Sequence, residues 1–83
     1  MQPYLFIAHK GASDTKSIRH AGEEFIYVLK GQIRWRISDI EYILRPGDSL
    51  YFSAEEVHSR TPITDTVEYL LILTNAPEIR EKE

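Results

Sequence analysis

Residues 25–37, Phe25-Ile26-Tyr27-Val28-Leu29-Lys30-Gly31-Gln32-Ile33-Arg34-Trp35-Arg36-Ile37, decide the fold class. Four of the first five are β-branched or aromatic, a run too short for a typical helix and rich in strand formers. Lys30-Gly31 closes that run, and Ile33 to Ile37 then alternates apolar and charged without a fault. Such alternation is the signature of a strand with one buried and one solvated face. Trp35, Ile33, Ile37 and Ile26 are expected inside, with Arg34 and Arg36 solvated outside. A nucleic-acid stacking role for the Arg-Trp-Arg triplet is unnecessary once alternation explains it.

Working outward, the same short-strand rhythm continues in both directions. Tyr4 to Ala8 is an apolar run, followed by the small, polar, turn-like Lys10 to Lys16. Ile40 to Leu44 follows a hairpin turn at Ser38-Asp39, and Arg45-Pro46-Gly47-Asp48 is a strong turn, Pro presetting φ and Gly taking the positive-φ position. Ser49 to Phe52 is a further strand, and His58 to Thr61, stopped by Pro62, reads as an edge or short strand. Val67 to Leu73 is the last and most apolar. Seven or eight short strands with turn signals between them, and no capped helical period, predict an all-β sandwich or barrel.

Size and charge narrow the function classes. Eighty-three residues support one modest core, and a chain this short buries only about 60% of the surface it exposes when unfolded. With no Cys, neither disulfides nor thiolate metal sites are available as staples. The net charge is −3, with six basic and four acidic groups in residues 1–40 and four basic against nine acidic in 41–83. No basic stripe offers itself to phosphates, no apolar run approaches membrane-spanning length, and no secretion leader is visible. The expectation is a cytoplasmic domain over residues 1–77 with a charged tail over 78–83, frayed or a short helix, binding neither nucleic acid nor membrane.

Three residues stand out chemically: His20, Glu24 and His58. On a straight strand, residues four apart are separated by about 13 Å, too far to share an ion. Gly22 and the strand formers after it argue against a helix, so His20 and Glu24 can meet only if the chain turns at Ala21-Gly22-Glu23. His58 must be brought in by the fold. Two imidazoles and a carboxylate suit non-haem Fe(II), and also Mn, Ni or Zn. Without an ion the same residues would be a hydrogen-bonded polar cluster. His9 reads as an ordinary strand residue.

These residues closely resemble the two motifs of the cupin family. The first has the form His-x-His, three or four residues, Glu, six residues, Gly; here three residues separate His20 from Glu24 and six separate Glu24 from Gly31. The second resembles Gly47 to His58, and the fifteen residues between Gly31 and Gly47 match small bacterial cupins. The resemblance covers about residues 18–74 and implies a double-stranded β-helix, a jelly roll of two antiparallel sheets. It departs from the family where the first ligand His is Ile18, where Pro and Gly of the second motif are Ser53 and Glu55, and where the trailing Asn is Pro62. By alternation Ile18 faces the side of His20, so at most three protein ligands remain and metal binding should weaken or be lost.

The phrases HAGEEFIYVLKGQI and YILRPGDSLYF look like the effector domains of helix-turn-helix/cupin transcriptional regulators. Residues 1–17 could not form the three or more helices of the DNA-binding part, so the chain is expected to be a stand-alone cupin or a regulator's C-terminal piece. That resemblance implies a small-molecule sensor, with His20, Glu24 and His58 as polar contacts or metal ligands and Trp35 and Tyr51 lining an apolar wall. The alternative it implies is a metal-dependent enzyme of dioxygenase or isomerase type. Phe25, Tyr27 and Leu29 have the opposite parity to Glu24 and should form an outward apolar patch, for which a homodimer is the natural cover.

Overall fold

A computed structural model describes residues 2–11 and 17–74. The predicted tail at 78–83, with the rest of 75–83, and most of the loop predicted over Lys10 to Lys16 lie outside the described residues. Seven strands form: β1 (Gln2–His9), β2 (Glu23–Lys30), β3 (Ile33–Ile37), β4 (Ile40–Leu44), β5 (Ser49–Ser53), β6 (His58–Pro62) and β7 (Thr66–Thr74). They make a four-stranded sheet in the order β1-β7-β2-β5 and a three-stranded sheet in the order β4-β3-β6, antiparallel throughout. This is the expected jelly roll of two sheets. Among the described residues no helix is long and apolar enough to cross a membrane.

Strand parity sorts the side chains as the alternation requires. Ile26 and Val28 on β2, Ile33, Trp35 and Ile37 on β3, and Val67, Tyr69 and Leu71 on β7 are all buried in one core. Arg34 and Arg36 face outward, where both pair with Glu41 of the neighbouring strand, at 3.7 and 3.0 Å. Exposed pairs of this kind add little stability, so β3 is held by its buried face.

The turns are set by residues that tolerate unusual backbone angles. Ser38 adopts φ 52° in the β3–β4 hairpin. In the Arg45–Asp48 turn the Asp48 backbone N–H donates to the Arg45 carbonyl at 2.8 Å, and the Asp48 carboxylate accepts from the Arg45 N–H at 2.8 Å. Pro62 closes β6, an edge strand, where a missing N–H does not break a ladder on both sides.

Candidate metal centre

Two polar side chains break the apolar rule of the interior. Glu24 and His58 are 5% and 3% exposed, at inward positions of β2 and β6. Glu24 stands one pleat before Ile26 and pairs across the sheet with Phe52. His58 opens β6 opposite Ile37. His20 reaches them from the loop before β2, at the turn anticipated from the sequence. Gly22 takes φ 102°, and the loop is anchored by bonds from the His20 N–H to the Ala54 carbonyl and from the Ala54 N–H to the Gly22 carbonyl, both 2.9 Å.

The three groups converge on one point. Glu24 Oε2 lies 2.8 Å from His20 Nε2 and 3.2 Å from His58 Nε2, and one ligand atom from each residue falls within 4.8 Å of the others. The rings meet edge to face at 5.4 Å. His20 is exposed, so this side opens to solvent, next to a recess of about 420 Å³ lined by Arg19, His20, Ala21 and Glu55.

Counting donors and acceptors shows what the cluster is built to receive. His58 Nδ1 faces the Glu56 carbonyl at 2.8 Å and His20 Nδ1 faces the Ala21 carbonyl at 3.1 Å. A carbonyl only accepts, so in each ring Nδ1 carries the proton and a neutral imidazole has just a lone pair at Nε2. Both Nε2 atoms nevertheless point at the same carboxylate oxygen, an arrangement that needs a positive charge among them. At His58 the 3.2 Å approach is close enough for an ion pair but off-line for a hydrogen bond, leaving its buried Nε2 without a hydrogen-bond partner. Backbone carbonyls on Nδ1 with Nε2 lone pairs and a carboxylate converging are the donor set of a two-His-one-carboxylate metal site. These residues fit a divalent ion.

Ile18, where the cupin resemblance expects the first ligand His, stands beside this cluster. It exchanges two backbone hydrogen bonds with His58, at 2.9 and 2.8 Å, so the two side chains lie on one face. That face therefore presents three donors and an apolar neighbour.

Of the two residues expected to line a wall, one is placed elsewhere. Trp35 is inside, 1% exposed. Tyr51 is not: it pairs with Phe25 on the outward parity, is 63% exposed, and donates a 2.5 Å hydrogen bond to Glu23 on the outer surface. That bond, more than any other influence, pushes its hydroxyl above the usual 10.0. The inward aromatic of β5 is Phe52, which contacts His58 at 5.0 Å and Trp35 at 6.4 Å between ring centres. Leu50-Tyr51-Phe52 is apolar throughout and carries no phase of its own, so only the pairing of Glu24 with Phe52 reveals which residue faces in.

Comparison with known proteins agrees with this architecture. The Cupin domain family matches residues 4–72. The chain is a cupin. Among solved structures this cupin is similar to a conserved protein of unknown function from Streptococcus pyogenes, with 18% identity and a TM-score of 0.80, covering 88% of this chain and 62% of that one. A cupin superfamily protein from Desulfitobacterium hafniense gives 22% identity and a TM-score of 0.80, with 89% and 66% covered. Hydroxypropylphosphonic acid epoxidase from S. wedmorenis gives 25% identity and a TM-score of 0.74, with 87% and 42% covered. Structures of HppE with Fe(II) and with Co(II), each in complex with substrate, are also similar. The cupin thus spans less than two thirds, or barely that, of each of these proteins. No curated protein matches it significantly in sequence.

Proposed function

We propose that this cupin is a metal-dependent small-molecule-binding domain, with His20, Glu24 and His58 holding one divalent ion (Fe, Mn, Ni or Zn) and a small ligand entering from the exposed side of His20. The observation that carries the reading is the shared Glu24 oxygen facing two imidazoles whose other nitrogens are committed to carbonyls. Such an ion polarises an oxygen or nitrogen of whatever ligand reaches it. The sensing role, of the kind found in effector domains of cytoplasmic transcriptional regulators, would work by population shift: the ligand favours one arrangement of a dimer by binding the two arrangements unequally.

The test is elemental analysis of protein purified from metal-replete cells. Near-stoichiometric transition metal in the wild type and its loss in His58→Ala are expected. A metal-free wild type under those conditions overturns the reading.

The second copy in such a dimer would cover the outer face of the larger sheet. Leu5 and Ile7 of β1, Leu70 and Ile72 of β7, Phe25 and Tyr27 of β2 and Tyr51 of β5 share that face by register. Leu5, Ile7, Tyr27 and Tyr51 are each more than a third exposed. Together they present apolar surface on the order of 500 Å², at the upper end of what monomers leave uncovered and a large part of the roughly 800 Å² per partner in a stable interface.

A catalytic reading is favoured by one observation, the similarity at 25% identity to a hydroxypropylphosphonic acid epoxidase. It requires the same metal and adds turnover, as in a dioxygenase or isomerase. Bound metal with ligand affinity but no product formation would leave the sensing role.

A further inference from the structure

A second cluster adjoins the metal centre and takes no part in it. Arg60 shares the parity of His58 along β6 and pairs with Trp35 on β3, so it faces between the sheets. Its guanidinium carbon lies 5.8 Å from the ring centres of both Phe6 and Trp35. Trp35 meets Tyr69 edge-on at 5.6 Å, and Phe6 stacks on Tyr69 at 5.6 Å. Four strands thus contribute one cation and three rings to a single compact group.

Two donors in that group are buried and make no hydrogen bond among the described residues: Trp35 Nε1 and Tyr69 Oη. Native interiors rarely leave such atoms unsatisfied, and where they do a ligand or ordered water is the usual partner. An indole N–H can only donate. Burial pushes the Tyr69 hydroxyl above the usual 10.0, with Arg60 pulling it down and Glu24 pushing it up, so at neutral pH it keeps its proton and can donate as well. The hydroxyl therefore stands within electrostatic reach of both the Arg60 guanidinium and the metal-centre carboxylate.

We propose that Arg60, Trp35 and Tyr69 form an oxyanion subsite beside the metal centre, and that the ligand of this cupin is a small organic acid whose carboxylate is held there. A guanidinium presents a planar fork of donors that matches a carboxylate, and the two neutral donors add to it without bringing a competing charge. Trp35 and Tyr69 are 1% and 0% exposed, so the subsite lies in the interior.

The subsite deepens the small-molecule reading given above and shares its ligand, but it can be tested without metal. Trp35 is the only tryptophan, so its fluorescence reports on the cluster directly. Acetate is titrated into metal-free and zinc-loaded protein at constant ionic strength, with acetamide as the neutral isostere. A saturable change with acetate and none with acetamide is expected, weakened roughly tenfold in Tyr69→Phe and more in Arg60→Gln. Arg60→Lys keeps the charge but not the fork, and recovers part of the affinity if Arg60→Gln folds poorly. Equal responses to acetate and acetamide overturn the subsite, as does wild-type acetate affinity in either Arg60→Gln or Tyr69→Phe. Zinc content is measured on the same samples. Acetate binding without zinc binding supports the subsite and sinks the metal reading; zinc binding without acetate binding sinks the subsite alone.

Discussion

Gly31, the last residue of the first cupin motif, offers the sharpest quantitative test of the fold. Substituting Ala there has two separable costs. Gly31 sits at φ +78° and Gly47 at φ +91°, so an L side chain at either position meets the left-handed penalty of about 1–2 kcal/mol. Both changes also reduce the freedom of the unfolded chain, which offsets about 0.4–1 kcal/mol of that. These contributions are shared and cancel when the two variants are compared. What does not cancel is space. A Cβ on Gly47 has nothing within 4 Å, whereas a Cβ on Gly31 overlaps the Thr66 carbonyl oxygen and stands 2.7 Å from Thr64 Oγ1 and 3.1 Å from Val67 Cα. Two of those three neighbours are backbone, which cannot rotate aside, and Thr64 Oγ1 is itself held by donating to the Thr66 carbonyl at 3.0 Å and accepting from the Gln32 N–H at 3.0 Å. Relief requires a backbone shift of the kind that costs about 1–3 kcal/mol in overpacked cores. Gly31→Ala should therefore be less stable than Gly47→Ala by about 1–3 kcal/mol. A domain of this size has a total of only about 4–12 kcal/mol. Urea unfolding with a slope near the low end for small proteins, about 1 kcal/mol per molar, converts the difference to a gap in midpoint of about 1–3 M. Failure of Gly31→Ala to fold while Gly47→Ala folds also agrees. Equal midpoints, or Gly31→Ala as the milder change, would refute the close approach of the β2 end to Thr66.

Three further outcomes are expected. Zinc or nickel at about a hundredfold above its dissociation constant should stabilise the wild type by about 2.7 kcal/mol, seen as a rise in Tm over the same protein in chelator; His58→Ala should show no rise, and a wild type indifferent to every metal tried would count against the centre. Ile72→Lys, placed amid the outer apolar face and away from the core, should shift sedimentation from dimer to monomer while leaving metal content unchanged; a wild type that sediments as a monomer removes the proposed interface. At alkaline pH, because the folded Tyr69 hydroxyl is held above 10.0, its stabilising contribution is complete below about pH 10 and is lost as pH rises through the raised folded value; Tyr69→Phe should make the alkaline limb of the stability profile shallower, and an unchanged limb would mean that Tyr69 does not govern it.

How much of this was legible in the residues depends on whether a strand has one ordinary buried face. β3 could be read outright, because Ile33, Trp35 and Ile37 alternate with two arginines and the sandwich buries one side only. β2 was nearly as clear, and the single polar intruder at an inward position, Glu24, was itself the signal of a site. β1 and β5 are apolar on both faces, so their existence was visible but their phase was not. In β1 the outward Leu5 and Ile7 are as apolar as the inward Phe6 and Ala8. In β5 the same ambiguity placed Tyr51 indoors when its neighbour Phe52 belongs there. Alternation carries phase only when the two faces meet different solvents, and an outer face suited to a second copy erases that difference.

β6 shows the opposite failure, and it bears on function. Its inward residues are His58, Arg60 and Pro62, none of which a hydrophobic pattern would nominate for a core. Once His58 is fixed as inward, however, the two-residue period obliges Arg60 to follow it, and the signal was present in His58-Ser59-Arg60 all along. A strand that lays an imidazole and then a guanidinium along the interior, against sheets otherwise filled with Ile, Val and Trp, is a poor way to stabilise a small barrel. Each charge or polar ring so placed forgoes the burial that an aliphatic side chain would provide, roughly 1.5–3 kcal/mol apiece. An 83-residue chain has little stability to forgo. The interior face of β6 is therefore best understood as a ligand-facing surface, His58 toward Glu24 and His20 and Arg60 toward Trp35 and Tyr69, with β3 beside it in the same sheet supplying the packing that β6 itself gives up.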